Sequence, residues 1–257
     1  MPELIEVEMY RRALGPVVGA EITHVDVDPA YLRPKGVGAG AAAELVGLQV
    51  RSTARVGKLL LVDVGDRTVG LRFGMTGRIL VGGVAPIEKL EYSSGRDDTS
   101  WDRLTLSTTA GKVVIRDPRR LGSLDLDPDV GALGPDAGEI AAAELAAVLH
   151  GRTANLKSLL LNQKAIAGLG NLLVDETLWR AALSPHREAG TLPPSDIDQL
   201  QQAIVDTVAL LTLRGGSHMG DTFAERHVEG VCPLDGEPMT GERLGGRGTW
   251  WCTRHQR

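Results

Sequence analysis

Asn155–Ala181, NLKSLLLNQKAIAGLGNLLVDETLWRA, is the stretch on which the fold turns. Apolar residues recur at helical spacing on both sides of Gly168-Leu169-Gly170, so the stretch reads as two helices meeting at a tight corner. Asn171 is placed to cap the second helix. A corner of this kind presents backbone N–H groups at a helix N-terminus, which suits an anion such as a DNA phosphate. Lys157 lies upstream, where it could approach the same phosphate. A plain helical corner with no ligand is the competing reading.

Working outward, residues 139–150, 153–164, 171–182 and 195–213 share helical periodicity without β-branched alternation. Residues 127–138, DPDVGALGPDAG, have little to bury and read as a linker. From Ala20 to about Leu126 the pattern changes to short β-branched runs (EITHVDVD, LQVRSTARV, KLLLVDV, TVGLRFGM, RLTLS, KVVIRD) separated by Gly, Asp and Ser. That spacing predicts an antiparallel sandwich or barrel. Residues 3–14 fit an amphipathic helix starting directly behind Pro2. The tail reads as a β-hairpin with a cysteine at each end. The expected fold class is therefore α+β: an N-terminal β-sandwich with a leading helix (1–130), a linker (131–138), a helical domain (139–225) and a finger-like hairpin (226–257).

The 257 residues, 42% hydrophobic and 24% charged, have the balance of a soluble globule. No apolar run approaches the roughly 20 residues that cross a bilayer, and the first residues carry acids where a signal peptide wants bases. The expectation is a cytoplasmic protein with no membrane partner. Two cysteines, Cys232 and Cys252, cannot build a disulfide framework. A net charge of −5 argues against a nucleic-acid partner unless the bases gather in one patch.

Four places could carry chemistry. A chain starting Met-Pro normally loses its Met, which would leave Pro2 with a nucleophilic secondary amine whose reference pKa is about 7.7–8.0. Glu3 and Glu6, one turn apart, could face one pocket as proton donor and acceptor. An ordinary first-turn proline followed by acids at the positive helix end is the competing reading. In RDPRRLG, Asp117-Pro118 forces a turn that leaves Arg119, Arg120 and Leu121 on a tip suited to phosphates and to wedging a base stack. Met75, in RFGMTG, could be a second wedge. Finally, Cys232-x2-Asp235 and Cys252-x2-His255 have zinc-ribbon spacing with Asp and His in place of two cysteines. A metal-free hairpin packed on Trp250, Trp251 and Leu244 is the alternative, as is a thiol redox or metal-sensing pair. Arg247, in GGRGT, would sit at the hairpin tip within reach of phosphate.

Taken in order, MPELIEVE, GKLLLV with Lys58, GMTG, DPRRLG, the Asn155–Ala181 block and GGRGTWWC span nearly the whole chain. Together they resemble the formamidopyrimidine-DNA glycosylase and endonuclease VIII family of bacterial base-excision repair enzymes. The resemblance implies a bifunctional glycosylase and AP lyase acting on damaged double-stranded DNA as a monomer, associated with the nucleoid. It assigns Pro2 as nucleophile at C1′, Glu3 as the acid that opens the sugar ring, Lys58 beside the reacting sugar and phosphate, and Glu6 as support. Asn171, Lys157 and Arg247 would grip phosphates, while Met75, Arg119 and Leu121 would fill the space left by the flipped base. The chain departs from the family pattern at Ile5, Arg72, Leu121, Asp235 and His255. Gly215–Gly230 is also shorter than the loop that holds 8-oxoguanine in the guanine-directed branch. Formamidopyrimidines and oxidised pyrimidines stay open as substrates, and a non-catalytic damaged-DNA-binding protein is the alternative function.

Overall fold

The computed structural model describes residues 2–33, 39–87, 90 and 96–257. The expected removal of Met1 concerns a residue outside that set. Two compact units form: Pro2 with Glu6–Val130, and Glu3–Ile5 with Gly131–Arg257.

Helix α1 (Leu4–Ala13), which belongs to the first unit from Glu6 on, precedes strands β1 (Ile22–Val27) and β2 (Leu32–Arg33), then a short helix α2 (Ala39–Ala43). The remaining strands are β3 (Ser52–Val56), β4 (Leu59–Asp63), β5 (Thr68–Arg72), β6 (Arg78–Val81), β7 (Asp102–Thr108), β8 (Gly111–Arg116) and β9 (Ser123–Leu126). They make a four-stranded sheet, β1-β7-β8-β6, and a five-stranded sheet, β2-β9-β5-β4-β3. All pairings are antiparallel except the short β2–β9 pair. Ile22, Ile79, Leu104 and Ile115 of one sheet share a core with Leu60, Val62, Val69, Leu71 and Leu124 of the other. This common core makes the pair a sandwich. Helix α1 contributes Val7 and Tyr10, two residues on one helical face, and Leu14 just past its end joins them. Strands β2, β6 and β9 have four residues or fewer, too short for an alternating pattern to mark them in the sequence. The run LQVRSTARV becomes regular strand only from Ser52.

In the second unit, α3 (Ala142–Leu149), α4 (Leu156–Leu161), α5 (Asn171–Arg180) and α6 (Pro194–Arg214) precede a hairpin of β10 (Thr240–Leu244) and β11 (Arg247–Trp251). Asn155 caps α4, its Oδ1 accepting from Ser158 N at 2.9 Å. Helix α6 opens on Pro194, whose missing N–H costs nothing at that position. It stops at Gly215, held left-handed at φ +96° with Gly216 N donating to Leu211 O. Leu172, Leu173, Val174 and Leu178 of α5 are buried, as are Leu200, Ala203, Ile204 and Leu211 of α6.

Candidate active site and nucleic-acid interface

Three N–H groups at the start of α5, those of Gly170, Leu172 and Leu173, are satisfied from within the chain. Glu3 Oε2 accepts from Gly170 N at 2.7 Å and Leu173 N at 3.2 Å, and Oε1 accepts from Leu172 N at 2.9 Å. Three otherwise orphaned donors and the positive helix end thus hold one carboxylate, itself buried beside Pro2. The anion on these three donors is Glu3, not a DNA phosphate. Gly170 permits the approach, since a Cβ on it would lie 2.2 Å from Glu3 Cδ. Gly170, and not Asn171, occupies the cap position; Asn171 is the first helical residue, and its Nδ2 donates to Gly248 O at 2.9 Å.

Lys157 is also placed differently from the phosphate-gripping expectation. Its side chain has 0% exposure, and Nζ donates to Asp175 Oδ1 at 2.6 Å and Gly248 O at 3.0 Å. Burial pushes its pKa down, against the pull of the Asp175 charge. Asp175 Oδ2 in turn accepts from Arg226 Nη1 at 2.5 Å and from Trp250 N at 3.3 Å. One buried network therefore joins α4, α5, β11 and the segment after α6. Next to it Glu176, also buried, accepts from Asp221 N, Thr222 N and Thr222 Oγ1. Sequence reading missed Asp175, Glu176 and Arg226. The available signal was two adjacent acids inside an otherwise apolar helix, since a buried acid demands a partner.

In the first unit Lys58 stands half-buried in the turn between β3 and β4, and Glu6 is buried on α1. The turn between β5 and β6 and the tip between β8 and β9 pack together, which brings Met75 and Arg119 into contact. Arg119 Nη1 lies 3.6 Å from Met75 Sδ, and Leu121 is 49% exposed. Arg120 adopts φ +51° and pairs through Nε with Asp28 at 3.0 Å.

At the tail, ligand atoms of Cys232, Asp235, Cys252 and His255 lie within 4.8 Å of one another. His255 Nε2 meets the Trp179 carbonyl at 3.1 Å. A carbonyl only accepts, so Nε2 carries the proton and the Nδ1 lone pair faces Cys232 Sγ at 3.4 Å. Two thiols, a carboxylate and a correctly oriented imidazole fit a zinc ion. Arg247 is exposed one residue past the tip, where Gly245 and Gly246, at φ +58° and +76°, make the two-residue turn.

Comparison with known proteins agrees along the chain. Residues 1–124 match the formamidopyrimidine-DNA glycosylase N-terminal domain, and residues 132–220 match the formamidopyrimidine-DNA glycosylase H2TH domain. The formamidopyrimidine-DNA glycosylases of Agrobacterium fabrum and Rhodopseudomonas palustris are 34% and 33% identical, each over the full length of both chains. Among solved structures, Lactococcus lactis formamidopyrimidine-DNA glycosylase bound non-covalently to DNA with an AP site superposes with a TM-score of 0.84 at 26% identity. MutM in complex with DNA containing carbocyclic 8-oxo-G gives 0.83 at 27%. Each structure is covered in full, as is this chain. On two matching domains and full-length kinship, the chain belongs to the formamidopyrimidine-DNA glycosylase family.

Proposed function

We propose that the protein is a base-excision DNA glycosylase with AP lyase activity, acting as a monomer on damaged double-stranded DNA. The observation that carries the reading is the Glu3 carboxylate, buried and fixed by three backbone donors directly beside Pro2. Pro2 and Glu3 are consecutive residues, so a nucleophile and a proton-exchanging group belong to one short segment.

In this reading the uncharged Pro2 nitrogen attacks C1′ of the flipped nucleotide. The N-glycosidic bond breaks, and the base leaves with its bonding electrons and takes up the proton that the Pro2 nitrogen sheds on bonding C1′. Glu3 exchanges a proton with the sugar ring oxygen, the ring opens, and the Pro2 nitrogen shares an iminium with C1′. Loss of a C2′ proton expels the 3′ phosphate, and a second elimination expels the 5′ phosphate. Lys58 supplies positive charge near the sugar and phosphate, and Glu6 supports the pocket. Asn171, Arg119 and Arg247 meet phosphates, and Met75 and Leu121 fill the stack, lowering the few kcal/mol that flipping costs. Lys157 and Arg120 act one step back, as a buried strut and as the brace of the tip. Cys232, Asp235, Cys252 and His255 would hold a structural zinc, which would tie the hairpin to α5 through Trp179. Among the described residues no helix is long and apolar enough to cross a membrane.

Borohydride trapping on DNA with an abasic site tests the reading. A covalent adduct that disappears in Pro2→Gly supports it. DNA binding without any adduct overturns it in favour of a binding protein, and mass spectrometry finding Met1 retained on a protein that still excises bases overturns Pro2 as the nucleophile.

A further inference from the structure

Two loops cross between the sheets of the first unit. One runs from β5 of the five-stranded sheet to β6 of the four-stranded sheet, and the other returns from β8 to β9. The first carries Met75 and the second Arg119–Leu121. They touch closely: a Cβ on Gly74 would lie 2.5 Å from the Leu121 carbonyl carbon, and Gly74 itself is left-handed at φ +57°.

Asp117 sits between them with 0% exposure. Its Oδ1 accepts from Thr76 Oγ1 at 2.7 Å, in the first loop, and from Arg119 N at 3.2 Å, in the second. Its Oδ2 accepts from Gly122 N at 2.8 Å, and its backbone carbonyl accepts from Arg103 Nε at 2.9 Å. A fully buried carboxylate spent on one hydroxyl and two backbone donors is costly unless the arrangement it imposes is needed.

We infer that Asp117 is a positioning residue that locks the Met75 turn and the Arg119–Leu121 tip into one rigid wedge, through its bond to Thr76. The inference rests on the proposed glycosylase reading, in which that wedge enters the duplex. The coupling is fixed before DNA arrives, so the ordering cost of two separate loops is not met during insertion.

The test is single-turnover excision of a formamidopyrimidine base from duplex DNA, set beside borohydride trapping on a single-stranded abasic oligonucleotide, which has no stack to wedge. Thr76→Val removes only the donor to Asp117 and keeps the shape. It is expected to slow duplex excision about tenfold, as for one hydrogen bond to a charged acceptor, and to leave single-strand trapping unchanged. Thr76→Ser, which retains a hydroxyl, is expected to restore the duplex rate. Asp117→Asn is expected to slow duplex excision at least as much as Thr76→Val. Duplex excision at the parent rate in Thr76→Val, an equal loss on both substrates, or no rescue by serine would overturn the inference. A parent protein that traps no DNA at all overturns the glycosylase reading itself, a result distinct from these.

Discussion

Replacing Lys157 by methionine separates two roles that sequence alone could not distinguish. The change removes an ammonium wholly enclosed by protein and leaves the Asp175 carboxylate, among the described residues, with Arg226 and the Trp250 N–H. Breaking a buried pair from one side costs about 3–5 kcal/mol, and the two surviving partners put the expected loss near the lower end, about 3 kcal/mol. With a urea slope of about 2 kcal/mol per M, the midpoint should fall by about 1.5 M. Tryptophan fluorescence follows the relevant unit, since Trp179, Trp250 and Trp251 all lie in it and only Trp101 lies in the other. DNA binding should respond differently. A buried ammonium releases no counterions, so the slope of log affinity against log salt should be that of the parent, whereas Arg247→Ala should lower it by about 0.9. A Lys157→Met protein with an unchanged urea midpoint, or with a salt slope reduced by about one phosphate, would refute the buried-strut argument.

Gly170→Ala would drive a methyl into the Glu3 carboxylate, and base excision should fall at least about a hundredfold, by the weight of losing a fixed catalytic group, with DNA still bound in gel-shift assays. Arg11 and Arg12 hold the Glu8 carboxyl down at about 2, against 4.5 ordinarily. Its contribution to stability is therefore present above about pH 4.5 and lost as pH falls through about 2. Glu8→Gln should cost about 1 kcal/mol at pH 7 after solvent screening, a difference that shrinks in acid unfolding curves below about pH 4.5 and is mostly gone by about pH 2. Zinc added to chelator-treated protein should raise the melting temperature read by tryptophan fluorescence, and Cys252→Ser should abolish the rise.

The sheets and long helices were legible because their periodicities are clean: β-branched runs between Gly and Asp in the first half, and helical spacing from Ala142 onward. Motif order carried the family, and it also singled out the Met75 turn and the Arg119 tip, which pack together in the structure. What sequence could not give was the partner of each polar group. Glu3 and α5 are separated by more than 160 residues, so nothing local announced that the helix start already had its anion. Lys157 is one of few lysines in an arginine-rich chain, a fact that fits an exposed grip and a buried strut equally well. Its burial depends on Asp175 eighteen residues on and on the Gly248 carbonyl, both tertiary matters. Asp117 looked like a turn former ahead of a proline, and its second task as a clamp needs the Thr76 loop in view.

Because the cradle at the start of α5 carries its own tethered anion, it is closed to competition from outside. Inorganic phosphate, sulfate or free nucleotides have no entry to these three donors, where a covalently attached rival is always present at high local concentration. Polyanion inhibitors of this protein would have to act on its exposed guanidiniums, and buffer choice should leave the cradle untouched.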